Sequence, residues 1–479
     1  MTPTLMTRSA LRASAALALL VPAIAGAQSP RNASIDRIFA EWDKPGSPGC
    51  AVGAFRDGRV LYERGYGMAN LDYDISNGPR MVYYIGSDSK QFTAAVIAML
   101  VLQGKVSLDD DVRKHFPELP DYGTPVRLRH LVHHTSGLRD IYGLMSLRGD
   151  RLEDVFPDSQ ALALIARQRG LAFTPGSAYS YSNSGYFLLA QLVKRVTGQT
   201  FREYADERIF RPLGMTNTHF HDDPGHVMKN RAMSYEPDGK GGFVISYLQN
   251  FDKVGAGGLY STIEDLRRWD ENYYTHEVGG AALQQLIHTR GVLTDGDTLP
   301  YAFGNNVTTH RGLRTVEHGG SMMGYKAYIA RYPDQHLSVM ITCNLGSINP
   351  GPLAHAVAEL FLGSAMTAER KPAPAADAPA SRGAGAAVAA TVDAGPYAGD
   401  YYSDDLDVTY RVERGAGGGL VLLMPRRAPQ ALVPEGTDRF QAGAMRVRFV
   451  RAGGTGAIGT LVVEMSRLGS INFVKRRTS

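Results

Sequence analysis

Ser87 and Lys90 are three residues apart in Ser87-Asp88-Ser89-Lys90, the one Ser-x-x-Lys pattern in the sequence. This spacing puts both side chains on one face of a predicted helix that begins near Ser87. A serine hydroxyl attacks a carbonyl carbon only after a base removes its proton, and a buried, neutral lysine can be that base. The helix N-terminus would also direct backbone N–H groups at a developing oxyanion. Serine is equally a routine N-cap residue, so the pattern alone does not establish a nucleophile.

A second group, Tyr181-Ser182-Asn183, is the one Tyr-x-Asn pattern in the sequence. It follows a Pro175-Gly176 turn, so we expect the triplet on an ordered loop before a helix over 185–196. A tyrosine beside a lysine ammonium can act as a phenolate base, and an asparagine amide can hold a substrate amide. A loop tyrosine that packs on the core is the simpler alternative.

The third group is His318-Gly319-Gly320-Ser321, at the start of the strands predicted late in the main segment. Glycines at this point would let a substrate backbone lie close to the strand edge. His310-Arg311-Gly312 also fits a His-x-Gly pattern. We prefer His318 because further glycines and two clear strands follow it.

The three groups occur in the order Ser-x-x-Lys, Tyr-x-Asn and His-x-Gly, predicted on a helix, a loop and a strand. In this order the chain resembles the serine β-lactamase and penicillin-binding-protein family, specifically its class C-like branch. That branch includes β-lactamase-type esterases and D-aminopeptidase-like and D-alanyl-D-alanine carboxypeptidase-like hydrolases. The resemblance covers about residues 33–365. Further segments that look like the family are 128–138, 179–186, 209–215 and 257–262.

The resemblance implies roles for the catalytic residues. Ser87 would be the acylated nucleophile, and Lys90 would activate it. Tyr181 would serve as base or proton relay, and the backbone N–H groups of Ser87 and Ser321 would form the oxyanion hole. The reaction would pass through an acyl-enzyme that water hydrolyses, with no cofactor and no metal ion.

The same resemblance implies that Asn183, His318 and Gly320 bind substrate. Many β-lactamases and penicillin-binding enzymes have lysine where His318 stands, which gives a permanent cation for a substrate carboxylate. A histidine near pH 7 is mostly neutral. We therefore expect esters or D-amino-acid amides and peptides as substrates. A β-lactamase or a D-alanyl-D-alanine carboxypeptidase is the alternative, and a non-catalytic peptidoglycan or ligand binder is a second one.

The helices and strands predicted around the three motifs must bring them to one site. Asp57-Gly58 suits a type I′ turn between strands over 51–56 and 59–64. A helix over 87–103 has almost no polar face after its first turn, so we expect it to be buried. Later elements are predicted over 325–331, 337–344 and 353–362. With the resemblance, these elements indicate an α/β fold of the β-lactamase/transpeptidase type, with an antiparallel sheet flanked by helices plus a helical region.

Four segments follow from the composition along the chain. Residues 1–27 have the positive start, short apolar stretch and A-x-A site of a signal peptide. Residues 28–365 would form the hydrolase domain, and 366–392, rich in Ala, Pro and Gly, a linker. Residues 393–479 contain about eight short β-type runs, which predicts an antiparallel barrel, lipocalin-like in some relatives of the family. We expect a periplasmic or secreted protein.

Composition excludes several other classes. The 479 residues carry a formal net charge of only +4, which argues against a nucleic-acid partner. The cluster His130, His133 and His134 lacks a carboxylate or cysteine at ligand spacing, so we expect it to end a helix instead of binding metal. Gly-x-Ser-x-Gly and P-loop patterns are absent. The expected partner is a small ester, amide or peptide, and no integral membrane segment is predicted.

The two cysteines, Cys50 and Cys343, both lie in strand-like runs. Export would allow them to oxidise, and two buried free thiols are equally consistent with the sequence. The resembled fold brings its terminal strands together in one sheet. A disulfide between Cys50 and Cys343 is therefore possible, and the sequence leaves both the paired and the free state open.

Overall fold

The computed structural model describes residues 1–2, 29–246, 250–367 and 393–476. The predicted signal peptide lies outside these residues apart from its first two positions. The predicted linker lies outside them apart from Met366 and Thr367. Both segments therefore stay predictions from the sequence.

The main unit mixes helices and strands in the way the sequence predicts. Its strands are β1 Cys50–Arg56, β2 Arg59–Tyr66, β3 Met68–Asn70, β4 Ile75–Ser76, β5 Tyr83–Tyr84, β6 His219–Phe220, β7 Tyr235–Pro237, β8 Phe243–Ile245, β9 Leu259–Ser261, β10 Asn306–His310, β11 Leu313–Met322, β12 Tyr325–Tyr332 and β13 Leu337–Cys343. Its helices are α1 Pro30–Phe39, α2 Lys90–Leu102, α3 Leu128–Val132, α4 Ile141–Arg148, α5 Asp158–Ala166, α6 Asn183–Thr197, α7 Phe201–Ala205, α8 Ile263–Thr275, α9 Gly280–Ile287 and α10 Pro350–Leu362.

Six strands form the central antiparallel sheet, in the order β10-β11-β12-β13-β1-β2. The predicted hairpin is confirmed as β1 and β2. Asp57 and Gly58 both have positive φ, at 49° and 71°, as the predicted type I′ turn requires. The first and last strands of the main unit meet inside the sheet, where β1 pairs with β13.

Helices cover both faces of this sheet. Alternate residues of β1 point to opposite sides: Phe55 joins the core that contains α2, whereas Val52 joins the core under α1 and α10. Helix α2 is buried from Lys90 to Leu100, because its sequence leaves almost no polar face. The α/β fold class with an antiparallel sheet flanked by helices is confirmed.

A closed barrel of eight consecutive antiparallel strands forms the C-terminal unit. Strand β19 shows how the sequence builds it: Met445, Val447 and Phe449 are buried, and the arginines between them face outward. Its strands are β14 Gly399–Ser403, β15 Val408–Arg414, β16 Leu420–Leu423, β17 Gln430–Gly436, β18 Arg439–Ala442, β19 Met445–Arg451, β20 Ile458–Met465 and β21 Gly469–Lys475. Pairing of β14 with β21 closes the barrel.

The barrel packs directly against the helical region of the main unit. Its apolar residues belong to the same continuous core as α2 and α6. The Tyr410 hydroxyl donates to the Leu147 carbonyl oxygen at 2.6 Å, and Arg426 pairs with Asp154 at 2.5 Å. Within the described ranges, no helix has the length and apolarity needed to cross a membrane.

Cys50 and Cys343 face each other across β1 and β13 and form a disulfide bond. The bond links residues 293 positions apart, so it constrains most of the main unit in the unfolded chain. Of the two outcomes that the sequence left open, the structure has the paired one.

Breaking this disulfide should lower stability without removing the fold. We expect the double variant Cys50→Ser, Cys343→Ser to lose about 2–4 kcal/mol of unfolding free energy, because the unfolded chain gains entropy. Denaturant unfolding followed by circular dichroism, with and without reductant, measures this loss. Reductant should shift the midpoint of the native protein and leave the variant unchanged. A native midpoint insensitive to complete reduction would contradict the expectation.

Candidate active site

Ser87 lies in a single 3₁₀ turn, Gly86–Ser89, between β5 and α2. Its neighbour Asp88 is buried, whereas the Ser87 side chain opens into a cavity of about 780 Å³. Gly86 has a φ of 57°, and a Cβ there would lie 2.5 Å from the backbone nitrogen of Ser321. Only glycine fits this conformation and this approach. The prediction of one continuous helix over 87–103 is thus wrong at its start, where a tighter turn presents the hydroxyl.

Lys90 is fully buried in the first turn of α2, with its amine beside the Ser87 hydroxyl. Nζ lies 3.1 Å from Ser87 Oγ, 2.9 Å from Asn183 Oδ1 and 2.5 Å from the Ala256 carbonyl oxygen. The last two oxygens can only accept hydrogen bonds. A neutral amine donates its two N–H bonds to them and directs its lone pair at the Ser87 hydroxyl. Burial lowers the pKa of Lys90 well below its usual value, which favours that neutral form.

Asp140, which the sequence motifs did not single out, fixes the orientation of Asn183. Its Oδ2 accepts from both the backbone nitrogen and the Nδ2 of Asn183, each at 2.7 Å. The amide oxygen of Asn183 is therefore left facing Lys90. The other oxygen of Asp140 caps α4 by accepting from the backbone nitrogens of Tyr142 and Gly143. One buried carboxylate thus sets both the amide and the start of a helix.

Asn183 is the first residue of α6, so the helix starts two residues before the predicted range of 185–196. The whole triplet was expected on a loop, but only Tyr181 and Ser182 lie there. The physical reason is the hydrogen bond to Asp140, which satisfies a helix N-terminal N–H group that would otherwise lack a partner. This contact holds the amide in a regular helical turn.

Tyr181 packs against both Lys90 and a histidine. Its ring centroid lies 4.1 Å from that of His134 and 4.7 Å from Lys90 Nζ. Its buried hydroxyl has no hydrogen-bond partner among the described residues. Burial raises the pKa of Tyr181 well above its usual value, and the nearby Ser87 hydroxyl opposes part of that shift. The phenol therefore keeps its proton, which suits a proton relay better than a phenolate base.

Strand β11 runs directly beside the turn Gly86–Ser89 that carries Ser87. A Cβ on Gly320 would lie 1.8 Å from the Ile85 carbonyl oxygen and 3.0 Å from the Ser87 nitrogen. No larger residue permits this approach, which explains the glycine. The contact brings the backbone of Ser321 next to the Ser87 turn, as the predicted oxyanion hole requires.

His318 lies on the same strand, 5% exposed, and is neutral. Its Nδ1 is 2.7 Å from the Gly319 carbonyl oxygen, an obligate acceptor, so Nδ1 carries the proton. Nε2 then accepts from the Tyr301 hydroxyl at 3.3 Å. Burial and the Lys90 amine lower the pKa of His318 to about 3. It supplies no cation near pH 7.

Asp88 is a second buried ionisable group beside Ser87. Both of its oxygens are buried and lack a hydrogen-bond partner among the described residues. Burial raises the pKa of Asp88 well above its usual value, which favours its protonated form. Its Oδ1 lies 4.0 Å from Nδ1 of His318, and because His318 is neutral near pH 7 this contact is not an ion pair.

Other polar groups reach the cavity from distant parts of the chain. Lys326 Nζ donates to Ser321 Oγ at 2.6 Å, and the Arg467 guanidinium lies 5.0 Å from the Tyr181 ring centroid. No local pattern marks these residues in the sequence, because they meet the site only through the sheet register and the docked barrel. The residues that line the cavity include Ser87, Asp140, Tyr181, Asn183, His318, Gly320, Ser321, Lys326 and Arg467.

The remaining histidines of the sequence patterns have structural partners. His310, the other His-x-Gly candidate, pairs with Glu359 at 3.0 Å and does not line the cavity. His133 ends α3, as expected, but His134 accepts a hydrogen bond from the Ser182 nitrogen and supports Tyr181. Across the described segments, no group of three or more His, Cys, Asp or Glu side chains is placed to hold a metal ion.

Comparison with known families agrees with this geometry. The family model described as Beta-lactamase matches residues 35–363. The chain is 31% identical over 297 residues to a D-aminopeptidase of Gluconobacter oxydans (strain 621H) and 30% identical over 297 residues to a D-aminopeptidase of Brucella anthropi. Each match covers 62% of this chain and 56% of the relative. The chain thus spans about half the length of the curated relatives it matches.

Solved structures share the fold. The octameric penicillin-binding protein homologue from Pyrococcus abyssi has a TM-score of 0.62 at 24% identity, covering 93% of this chain and 99% of that chain. The D-amino acid amidase from Ochrobactrum anthropi SV3, complexed with D-phenylalanine, has a TM-score of 0.58 at 19% identity and covers 70% and 100%. At these identities the likeness shows the fold alone.

The chain belongs to the Beta-lactamase family. The resemblance stated from the three motifs is confirmed. The structure brings Ser87, Lys90, Tyr181, Asn183, His318, Gly320 and Ser321 together around one cavity. Their individual catalytic and binding roles stay predictions.

Replacing Gly320 by alanine should disable the nucleophile. The new Cβ would push β11 away from the Ser87 turn and separate the two backbone N–H groups. We expect labelling of Ser87 by a fluorophosphonate to slow about 100-fold or more. Gly319→Ala is the matched comparison, because its Cβ would meet only the edge of the Tyr328 ring at 3.0 Å. Equal labelling rates in the two folded variants would argue against the predicted oxyanion hole.

The labelling rate should also fall as the pH drops through the pKa of Lys90, because only the neutral amine can take the Ser87 proton. Burial places this acidic limb well below pH 10.5, the ordinary lysine value. The Asp140 carboxylate raises this pKa, whereas the Arg467 guanidinium lowers it.

Removing the cation in Arg467→Met should therefore move the acidic limb of labelling to higher pH. Arg414→Met, which removes an exposed arginine of the barrel away from the cavity, is the control. Labelling rates measured between pH 5 and 10 report the limb. A shift to lower pH in Arg467→Met, or the same shift in both variants, would contradict the assignment.

Proposed function

We propose that the chain is a serine hydrolase that forms an acyl-enzyme on Ser87 and cleaves amides and peptides of D-amino acids. One observation carries the proposal: the Lys90 amine has two obligate acceptors, Asn183 and Ala256, and a third contact to the Ser87 hydroxyl. This arrangement favours proton transfer from serine to lysine. A non-catalytic binder would have no need of it.

Acylation begins when Ser87 Oγ attacks the substrate carbonyl carbon while its proton passes to Lys90 Nζ. The carbonyl oxygen takes the negative charge and accepts from the N–H groups of Ser87 and Ser321. As the tetrahedral intermediate collapses, the bond to the leaving amine breaks. The leaving nitrogen takes a proton that Tyr181 relays from Lys90.

Deacylation repeats these steps with water. A water molecule loses a proton to the same Lys90–Tyr181 pair and attacks the ester carbonyl of the acyl-enzyme. The ester bond breaks, and Ser87 Oγ recovers a proton. The acid product leaves, and the site returns to its starting state.

Two observations support the substrate class. The curated relatives at 31% and 30% identity are named D-aminopeptidases, and the aligned region spans 62% of this chain. Neutral His318 stands where many β-lactamases have a lysine, so a β-lactam carboxylate lacks its usual partner on this strand. Together they favour D-amino-acid amides and peptides over β-lactams.

We also propose that the protein is exported to the periplasm or beyond. The disulfide between Cys50 and Cys343 supports this, since structural disulfides persist in oxidising compartments. The signal-peptide pattern over 1–27 agrees with it.

Turnover of matched chromogenic substrates tests the proposal. We expect hydrolysis of D-alanine p-nitroanilide to exceed that of its L-isomer and of a chromogenic cephalosporin. Ser87→Ala should lower kcat about 10⁴-fold or more, because the acyl bond cannot form. Ser177→Ala, an exposed loop serine, is the control that should keep full activity. Cephalosporin turnover far above the anilides, or full activity in Ser87→Ala, would contradict the proposal.

A further inference from the structure

The tight turn between β20 and β21 carries the barrel into the active-site cavity. Arg467 stands at its tip with a φ of 65°, an uncommon conformation for a residue other than glycine. Its guanidinium lies 5.0 Å from the ring centroid of Tyr181 and lines the same cavity as Ser87. A residue from the C-terminal unit is thus part of the catalytic cavity.

This turn is held in place by a dense set of contacts from Arg139. The guanidinium of Arg139 donates to the carbonyl oxygens of Leu468 at 3.1 Å and Ser470 at 2.7 Å, and pairs with Asp405 at 2.8 Å. All of these partners belong to the barrel. Arg139 is itself almost fully buried, so the anchoring contacts are shielded from water.

Two further contacts tie the turn to the catalytic residues. The backbone nitrogen of Asp140 donates to the Arg467 carbonyl oxygen at 3.2 Å. Leu468 is fully buried, and a Cβ at Gly143 would lie only 2.9 Å from its side chain. Since Asp140 also holds Asn183, the position of Arg467 is fixed by the same residues that orient the site.

The charges around the cavity leave Arg467 free for a ligand. Its exposed guanidinium forms no ion pair with the described residues, and its ring contact is with Tyr181. The Asp140 carboxylate, which also lines the cavity, is already occupied by Asn183 and by the cap of α4. Lys326, which also lines the cavity, donates to Ser321. A cation without an ion-pair partner among the described residues therefore faces the cavity in which a substrate of Ser87 would lie.

We propose that Arg467 binds a carboxylate on the leaving-group side of the substrate. This inference rests on the proposed hydrolase function. The side follows from Tyr181, which passes the proton to the leaving nitrogen and over whose ring the guanidinium lies. A planar guanidinium suits a carboxylate because it can donate two parallel hydrogen bonds. The substrates selected are short D-aminoacyl peptides with a free C-terminal carboxylate. The barrel thereby supplies the cation that neutral His318 does not.

A pair of substrates that differ in one charge tests this assignment. D-alanyl-p-aminobenzoate and D-alanyl-p-aminobenzamide share the acyl group and leaving-group shape, and the first alone carries a carboxylate. We expect kcat/KM to favour the carboxylate about fivefold to tenfold at low salt, since the ion pair is partly exposed. The preference should weaken as ionic strength rises.

Three variants locate the cation responsible. Arg467→Met should bring the kcat/KM ratio of the two substrates close to one, and Arg467→Lys should keep part of the preference. Arg414→Met removes an exposed arginine elsewhere on the barrel and should keep the full ratio. Lys326→Met tests the other cation of the cavity and should also keep it. A preference lost in Lys326→Met and kept in Arg467→Met would overturn the assignment.

Binding to the Ser87→Ala protein separates this inference from the proposed function. Calorimetry of the two substrates on that variant measures carboxylate recognition without turnover. Tighter binding of the carboxylate that disappears in the double variant Ser87→Ala, Arg467→Met supports the inference even where hydrolysis is absent. Equal affinities in the presence of Arg467 overturn the inference, while hydrolysis of both substrates by the native protein leaves the proposed function intact.

Discussion

The rest of the site depends on the burial of the Lys90 amine and on its contacts with Ser87, Asn183 and Ala256. A charged ammonium is costly to bury, so the surroundings decide whether the group holds its proton. Here the amine is fully buried and meets two obligate acceptors, Asn183 Oδ1 and the Ala256 carbonyl oxygen. The neutral form satisfies both and still offers a lone pair to Ser87. Burial, which destabilises the cation, thereby favours the free amine that can accept the Ser87 proton at moderate pH.

Two structural features maintain this state. The apolar length of α2 keeps the first turn of the helix inside the core, and Asp140 keeps the Asn183 amide oxygen turned toward the amine. The close approach of β11 to the Ser87 turn, which Gly320 permits, completes the reactive centre on its other side. The barrel contributes through Asp140, whose backbone nitrogen donates to Arg467. The C-terminal unit is therefore connected to Lys90 by a chain of hydrogen bonds through Asp140 and Asn183.

Much of this could be predicted from the sequence because the signals are local. The Asp57-Gly58 hairpin, the apolar α2 and the alternating barrel strands each follow from short patterns. Two short stretches with recognisable spacing contain four of the site residues: Ser87 and Lys90 in one of four residues, Tyr181 and Asn183 in one of three. Their family resemblance added the expectation of one shared site.

What the sequence did not predict depends on contacts between distant segments. Asp140 reaches the site through its hydrogen bonds to Asn183, and Arg467 through the docked barrel turn, and no local pattern marks either residue. A long-range contact also explains the misplaced start of α6, where the hydrogen bond from the Asn183 backbone nitrogen to Asp140 accompanies a helix that begins two residues earlier than predicted. His134 was interpreted only as a helix end, although the fold stacks it on Tyr181. In each case a tertiary contact determines the position of the residue, and a local sequence pattern does not predict it.

Direct titration of Lys90 tests the central claim. Carbon-13 at lysine Cε reports amine protonation by NMR, and the resonance that disappears in Lys90→Arg identifies this residue. The account predicts that Lys90 titrates well below 10.5, apart from the exposed lysines. A Lys90 resonance that titrates together with the exposed lysines would show a charged amine at neutral pH and contradict its role as the base.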